Sequence, residues 1–172
     1  KENNDFSSKI QLESYIQIHF DEKWFNSSYI KKYNDINPSF EEFSNFIKSL
    51  SEKSNVLIST GIKSNVLIER LELNSVNKLS NNIFINNIKE NIILVKQPSF
   101  LDLESLLRRT KVLISCHGAL THAAASFNIK IIDIVEKSSD ELVKRYSLYI
   151  KNYYKIYRDK FSLVKNRVHQ LI

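Results

Sequence analysis

A chain of 172 residues, 42% hydrophobic and 26% charged, is long enough for one well-filled globular domain and too short for two full α/β domains. Its apolar runs are strand-sized and broken by charge, so neither a membrane span nor a signal peptide is expected. The single cysteine, Cys116, excludes an internal disulfide and any multi-cysteine metal site and fits a reducing cytoplasm, while the net charge of +6 suits a phosphate-rich ligand, an anionic membrane surface or nucleic acid; the lysines are scattered, so charge alone selects none of them, and nucleic acid, resting on charge only, comes last.

The absence of methionine, with Lys1 as first residue, leads to the expectation of a piece cut from a longer protein, with a partner domain upstream. Residues 1–13 are polar and are expected to be a linker or frayed lead-in. Tyr15-Ile-Gln-Ile-His-Phe20 reads as the first strand, and Asp21-Glu-Lys-Trp24 breaks it with charge. Ligands in open α/β sheets bind at the carboxyl ends of strands, so Lys23 is a candidate phosphate clamp; the plainer alternative is a solvated loop lysine. Residues 26–37 read as irregular loop. Ser39 and Glu42 then stand at capping-box spacing, and Phe40, Phe43, Phe46, Ile47 and Leu50 recur along one face of a helix.

Asn55-Val-Leu-Ile-Ser-Thr60 reads as the second strand, ended by Gly61, one of two glycines in the chain. Such scarcity marks the Thr60-Gly61 junction as a tight turn or a close approach of backbone to ligand. A helix is expected over about residues 64–76, with Val66, Leu67, Leu71 and Leu73 facing inward. The Asn-rich stretch 77–91 holds Ile83-Phe-Ile85, either a short strand or a buried connection. Asn91-Ile-Ile-Leu-Val95 is a further strand, and Ser99 with Asp102 opens a helix that turns Leu103, Leu106 and Leu107 to the core.

The chain is organised around Lys111-Val-Leu-Ile-Ser-Cys-His-Gly-Ala-Leu-Thr-His122. Val112 to Ser115 is a β-branched strand run, Ala119 to Phe127 has helical character, and Gly118 lies between them. A strand that turns on glycine into a helix aims the first helical amides, here those of Gly118, Ala119 and Leu120, at the space above the sheet edge, where anions settle. His117 and His122 add imidazole donors, so the turn is read as a site for a nucleotide or nucleotide-sugar diphosphate; the alternative is an ordinary turn that binds nothing. Cys116, beside it, is read as a small buried hydrophobe in preference to a nucleophile.

Ile131-Ile-Asp-Ile-Val135 is the next strand, with Glu136 at its carboxyl end. Ser138 and Glu141 are expected to cap a long helix carrying Leu142, Tyr146, Tyr149, Ile150 and Tyr153, and Phe161, Val164, Val168 and Leu171 mark a last helix. Alternating strands and helices with short connections imply an α/β, Rossmann-like, doubly wound parallel sheet over residues 14–155. Residues 156–172 form a C-terminal helix packing on this domain or on a missing N-terminal one. The Tyr- and Lys-rich stretch from Arg145 to Arg158 is read as packing on a neighbouring domain before a membrane surface or nucleic acid.

Taken in this order the residues resemble the carboxyl-terminal, nucleotide-sugar-binding half of GT-B glycosyltransferases over most of the chain, and are closest to the heptosyltransferase family of lipopolysaccharide synthesis. Lys23-Trp24 looks like that family's Lys-x-Trp element, Ser59-Thr-Gly61 like its glycine turn, and Ser115-Cys-His-Gly-Ala-Leu-Thr-His122 corresponds in length to Ser-Val-Asp-Thr-Gly-Leu-Ser-His. Where the family has Asp-Thr-Gly, this chain has His117-Gly118-Ala119, similar instead to the turn of O-linked N-acetylglucosaminyl and xylosyl transferases, which also place a glutamate after the next strand, as Glu136 stands here.

The resemblance implies inverting transfer from a nucleotide-diphospho-sugar to a glycan or lipopolysaccharide-type acceptor, with no required metal or cofactor. The amides of Gly118 to Leu120 and Lys23 would hold the leaving diphosphate, with His117 or His122 adding a charge-assisted bond. Glu136 would accept from the ribose or base, or is a surface glutamate ending a strand. The general base belongs, in such enzymes, to the acceptor-binding N-terminal domain, so no catalytic residue is assigned. The implied location is the cytoplasm, with the inner membrane face and a peripheral contact as a variant of it. The alternatives are a non-catalytic nucleotide-binding or interaction domain, or a relative of sugar-nucleotide epimerases or pyruvyl transferases.

Overall fold

A computed structural model describes residues 6–25, 36–63, 65–86 and 88–172. Among them eight strands form one sheet: β1 (Tyr15–Phe20), β2 (Val56–Thr60), β3 (Ser75–Ser80), β4 (Ile83–Asn86), β5 (Ile92–Val95), β6 (Thr110–Cys116), β7 (Lys130–Val135) and β8 (Tyr153–Tyr157). They lie in the order β3-β4-β5-β2-β1-β6-β7-β8. From β5 to β8 all neighbours are parallel, and the β3–β4 hairpin adds an antiparallel edge. The helices are α1 (Phe40–Ser51), α2 (Val66–Leu73), α3 (Phe100–Leu107), α4 (Ala119–Ala124), α5 (Asp140–Ser147) and α6 (Phe161–Leu171). The expected α/β, doubly wound sheet is therefore present, with β1 central. The chain leaves β1 toward β2 and β5, then returns to its other side for β6, β7 and β8. The carboxyl ends of β1 and β6 thus face the crevice where the winding reverses.

All six residues of β1 are buried, as a strand covered on both faces requires. Ile16, Ile18 and Phe20 join Phe43, Phe46 and Leu50 of α1 and Phe161, Val164 and Val168 of α6 in one core. Tyr15 joins Leu103, Leu106 and Leu107 of α3 and Leu120 and Ala124 of α4 in the other. The capping box before α1 is formed: Glu42 N–H donates to Ser39 Oγ at 3.2 Å, and Ser39 N–H to Glu42 Oε2 at 3.0 Å.

Several expectations change, among them the Ser138 cap, since α5 starts at Asp140 after Ser139 with no side-chain cap bond. Residues 6–12 are not a frayed lead-in, although residues 1–5 lie outside the described ones. Phe6–Lys9 is a 3-10 turn, Ile10 is fully buried, and Ser7 N–H donates to Ser105 Oγ at 2.9 Å. Three apolar residues in a polar stretch were enough to dock it on α3. The second helix stops at Leu73, with Leu73 and Val66 exposed and Leu67, Ile68 and Leu71 inward; Asn and Ser from position 74 compete with the helical backbone and yield to hairpin pairing. The open choice at Ile83-Phe-Ile85 resolves as strand β4. The helix expected to reach Tyr153 ends at Ser147, because the aromatic-rich run 153–157 pairs with β7 instead, Tyr153 against Ile131. The domain boundary at 155 therefore falls inside β8. The last helix packs on this domain, with Phe161 edge-on to Phe46 at 5.6 Å and Ser49 Oγ 3.1 Å from His169 Nε2. The loop expected at 26–37 lies, from 26 to 35, outside the described residues.

Candidate functional site

The crevice is built from the turn after β1. Asp21 caps a 3-10 turn over Glu22–Trp24 by accepting from Lys23 N–H at 3.1 Å. Trp24 is fully buried against Phe20, ring centroids 4.9 Å apart, and its indole N–H donates to the His19 carbonyl at 2.9 Å. The anchored indole fixes the turn, and the Lys23 ammonium lies 3.3 Å from Asp21 Oδ2. There it meets the turn after β6: a Cβ added at Gly118 would collide with Lys23 Nζ. Gly118 has an extended backbone, φ 173°, that any residue adopts, so what requires glycine is room for the ammonium.

Gly118→Ala should fold like the parent yet displace the ammonium, weakening binding of a diphosphate roughly tenfold, about half of what a charge-assisted hydrogen bond is worth at its upper range. Calorimetric titration beside a thermal melt checks it.

The amides of Ala119 and Leu120 begin α4, whose N-cap residue offers no side-chain cap. His117 N–H donates to Ile134 O at 3.1 Å, and its Nδ1 lies 2.5 Å from Asp133 Oδ2. Asp133 is fully buried and also accepts from the Tyr153 hydroxyl at 2.6 Å and from Thr121 Oγ1 at 3.2 Å. Beside this turn opens a cavity of about 350 Å³. Lys23, His117, Gly118 and Ala119 line it, together with Glu136 and Arg158 from the ends of β7 and β8 and Leu142, Val143 and Tyr146 from α5. Arg158 is buried, its Nε 3.9 Å from Glu136 Oε2 and its guanidinium donating to Cys116 Sγ at 3.4 Å. Lys23, Arg158 and His117 against Glu136 make the lining suited to an anion carrying polar and apolar parts.

Of the candidates read from the sequence, Lys23, His117, Gly118, Ala119 and Glu136 are brought together on the cavity. The Leu120 side chain points from α4 into the second core; what the residue can offer a ligand is its amide. His122 turns outward, with Nδ1 2.8 Å from the Tyr149 hydroxyl and its ring edge-on to His117 at 5.2 Å. Burial, and His117 beside it, lower its pKa. Thr60 and Gly61 stand outside this lining. Thr60 Oγ1 accepts from Gln97 N–H at 2.9 Å, and a Cβ at Gly61 would stand 2.9 Å from Asp21 Cβ and 2.7 Å from Glu22 Oε2. The close approach marked by that glycine is therefore one made by the β1 turn itself. Cys116 is buried, and burial pushes its thiol far above the usual range, so it is the small buried hydrophobe expected. Among the described residues no group of three or more His, Cys, Asp and Glu side chains is placed to hold a metal ion.

Asp133, Tyr153 and Arg158 escaped the sequence reading. The available signal was an aspartate inside Ile-Ile-Asp-Ile-Val, since strands are depleted in Asp and a buried charge needs partners.

His19, beside the turn, is buried with Nδ1 3.1 Å from Ser59 Oγ. Burial, then Lys23, lowers its pKa from 6.5 to about 4. Between those values the unfolded chain binds more protons than the folded one, so stability contributed here is full above pH 6.5 and is lost as pH falls toward 4, by up to about 3 kcal/mol. Urea denaturation at pH 7 and pH 4.5 should show a smaller difference for His19→Gln than for the parent chain.

No protein-family model matches the sequence, and no curated protein matches it. Solved structures do match. Escherichia coli ADP-heptose lipopolysaccharide heptosyltransferase II is similar with a TM-score of 0.61 at 12% identity, over 99% of this chain and 52% of that one. E. coli heptosyltransferase WaaC, solved with ADP, gives 0.52 at 12% identity, over 91% and 44%. Methanocaldococcus jannaschii UDP-GlcNAc 2-epimerase, in complex with UDP-GlcNAc and UDP, gives 0.56 at 11% identity, over 99% and 42%. The chain spans about half, or less, of the length of each. Its fold is thus GT-B-like, a Rossmann-like architecture shared with part of each of these proteins.

Proposed function

We propose that this chain is the donor-binding domain of a glycosyltransferase that uses a nucleotide-diphospho-sugar. The observation that carries the proposal is the meeting of Lys23 with Gly118 at the reversal of the sheet's winding, beside a cavity that His117 also lines. Ammonium, imidazole and the amides at the start of α4 are the donors a leaving diphosphate needs. Preorganised donors of this kind stabilise developing charge by about 3–4 kcal/mol each when well placed. Since side chains and amides supply the positive charge, the proposed transfer needs no metal. Glu136 accepts from hydroxyls of the donor, and Leu142 and Tyr146 offer it an apolar surface.

In this proposal transfer inverts the anomeric centre, the acceptor is a glycan or lipopolysaccharide-type molecule, and the reaction takes place in the cytoplasm. The base that deprotonates the acceptor comes from a second, N-terminal domain. Among the described residues no helix is long and apolar enough to cross a membrane. Titration with ADP-, UDP- and GDP-sugars, followed by the fluorescence of Trp24, the only tryptophan, tests the reading. Saturable quenching with at least one of them is expected; indifference to all would favour a domain that binds no nucleotide.

A second reading is favoured by the likeness to UDP-GlcNAc 2-epimerases, namely an epimerase relative on the same fold. Incubation of the full-length protein with UDP-GlcNAc separates the two: a change of configuration at the sugar's C2 without any acceptor would select the epimerase.

A further inference from the structure

The two ring nitrogens of His117 have different surroundings. Nδ1 lies 2.5 Å from Asp133 Oδ2, whereas the residue lines the cavity next to Gly118 and Ala119. Asp133 is fully buried in a strand that is otherwise apolar at its centre, where a carboxylate is retained only with partners. The partners are donors: Tyr153 OH at 2.6 Å on Oδ2 and Thr121 Oγ1 at 3.2 Å on Oδ1. An ionised carboxylate accepts and never donates, so the proton of the short contact with His117 belongs to Nδ1. With Nδ1 committed, only Nε2 is available to a ligand. To donate there as well, the ring must carry both protons and a positive charge, and the Asp133 carboxylate is the counter-charge that makes this state tenable.

We infer that Asp133 is a positioning residue that commits His117 Nδ1, so that His117 meets a diphosphate oxygen through Nε2–H as an imidazolium, the second proton coming from solvent; Tyr153 and Thr121 hold the carboxylate in place. This rests on the reading of the cavity as a diphosphate site.

The test is nitrogen-detected NMR of 15N-labelled imidazole groups at pH 7, with inorganic pyrophosphate as the probe. In the ligand-free chain His117 should carry its proton at Nδ1, and at saturating pyrophosphate both ring nitrogens should be protonated. A ligand-free ring protonated at Nε2 alone, or an unprotonated Nε2 in the complex, would overturn the inference. A thermodynamic cycle adds a readout that a merely structural role would not move. Asp133→Asn should weaken pyrophosphate about tenfold in the parent and less than twofold in His117→Ala, and Tyr153→Phe, a milder change to the same network, should weaken it about threefold with the same dependence on His117. Equal losses in both backgrounds would refute it. Absence of any pyrophosphate binding would overturn the donor role together with the diphosphate reading, while the ligand-free spectrum judges the role of Asp133 separately.

Discussion

Lys23→Ala is expected to weaken binding of a nucleotide-diphospho-sugar by roughly tenfold to a hundredfold. A charge-assisted hydrogen bond is worth about 1.5–3 kcal/mol, and each factor of ten in affinity about 1.4 kcal/mol. The side chain lies 3.3 Å from Asp21 and over Gly118, where the ends of β1 and β6 meet. Its backbone is held by Asp21 and by the buried Trp24, so the fold should persist when the ammonium is removed. One side effect is expected. Asp21 already has a raised pKa through burial, which Lys23 offsets in part, so loss of the lysine makes that carboxylate easier to protonate. Calorimetric titrations of parent and variant at pH 7.5, above that complication, measure the affinity loss; an affinity within twofold of the parent would remove Lys23 from the site.

Trp24→Ala should cost about 3–5 kcal/mol of stability, the range for deleting a fully buried aromatic side chain. The indole fills the space between Phe20 and Phe43, with centroids at 4.9 Å and 6.4 Å, and satisfies the His19 carbonyl. Its loss leaves a void and an acceptor without its donor next to the turn that carries Lys23. Trp24→Phe keeps most of the packing, leaves a smaller void and loses the hydrogen bond, so a cost of about 1–3 kcal/mol is expected. Urea denaturation of the three chains orders them parent, Phe, Ala. A Trp24→Ala chain as stable as the parent would show that the turn is held by something else.

The fold was legible where a local rule and the tertiary environment agree. β1, β2, β5, β6 and β7 are rich in β-branched and apolar residues and almost wholly buried because both faces are covered, and Ser39 with Glu42 announces α1 by the bonds it then makes. What was illegible depends on partners distant in sequence. Tyr153 continues a helical spacing from Tyr146 and Tyr149, yet β7 offers an unpaired edge and takes residues 153–157 as a strand. Ile10 sits among polar residues and is buried because α3, some ninety residues on, receives it. In the site, glycine scarcity marked Gly61 as a close approach without saying what approaches, and nothing in the sequence marked the crowding at Gly118. At Gly118 it is Lys23, at Gly61 the chain's own Asp21 and Glu22. The pair of His117 and Asp133 joins the residue just after β6 to one inside β7, and adjacency of β6 and β7 is a property of the sheet, not of either segment.

The central claim is that a diphosphate lies between the Lys23 ammonium and the start of α4. A crystal structure of the chain soaked with UDP, chosen because it carries the diphosphate without commitment to a sugar, measures this directly. The account predicts phosphate oxygens within hydrogen-bond distance of Lys23 Nζ, of the Ala119 or Leu120 amide and of His117 Nε2. A nucleotide bound elsewhere, with Lys23 still turned to Asp21 and the cavity beside His117 empty, would contradict it.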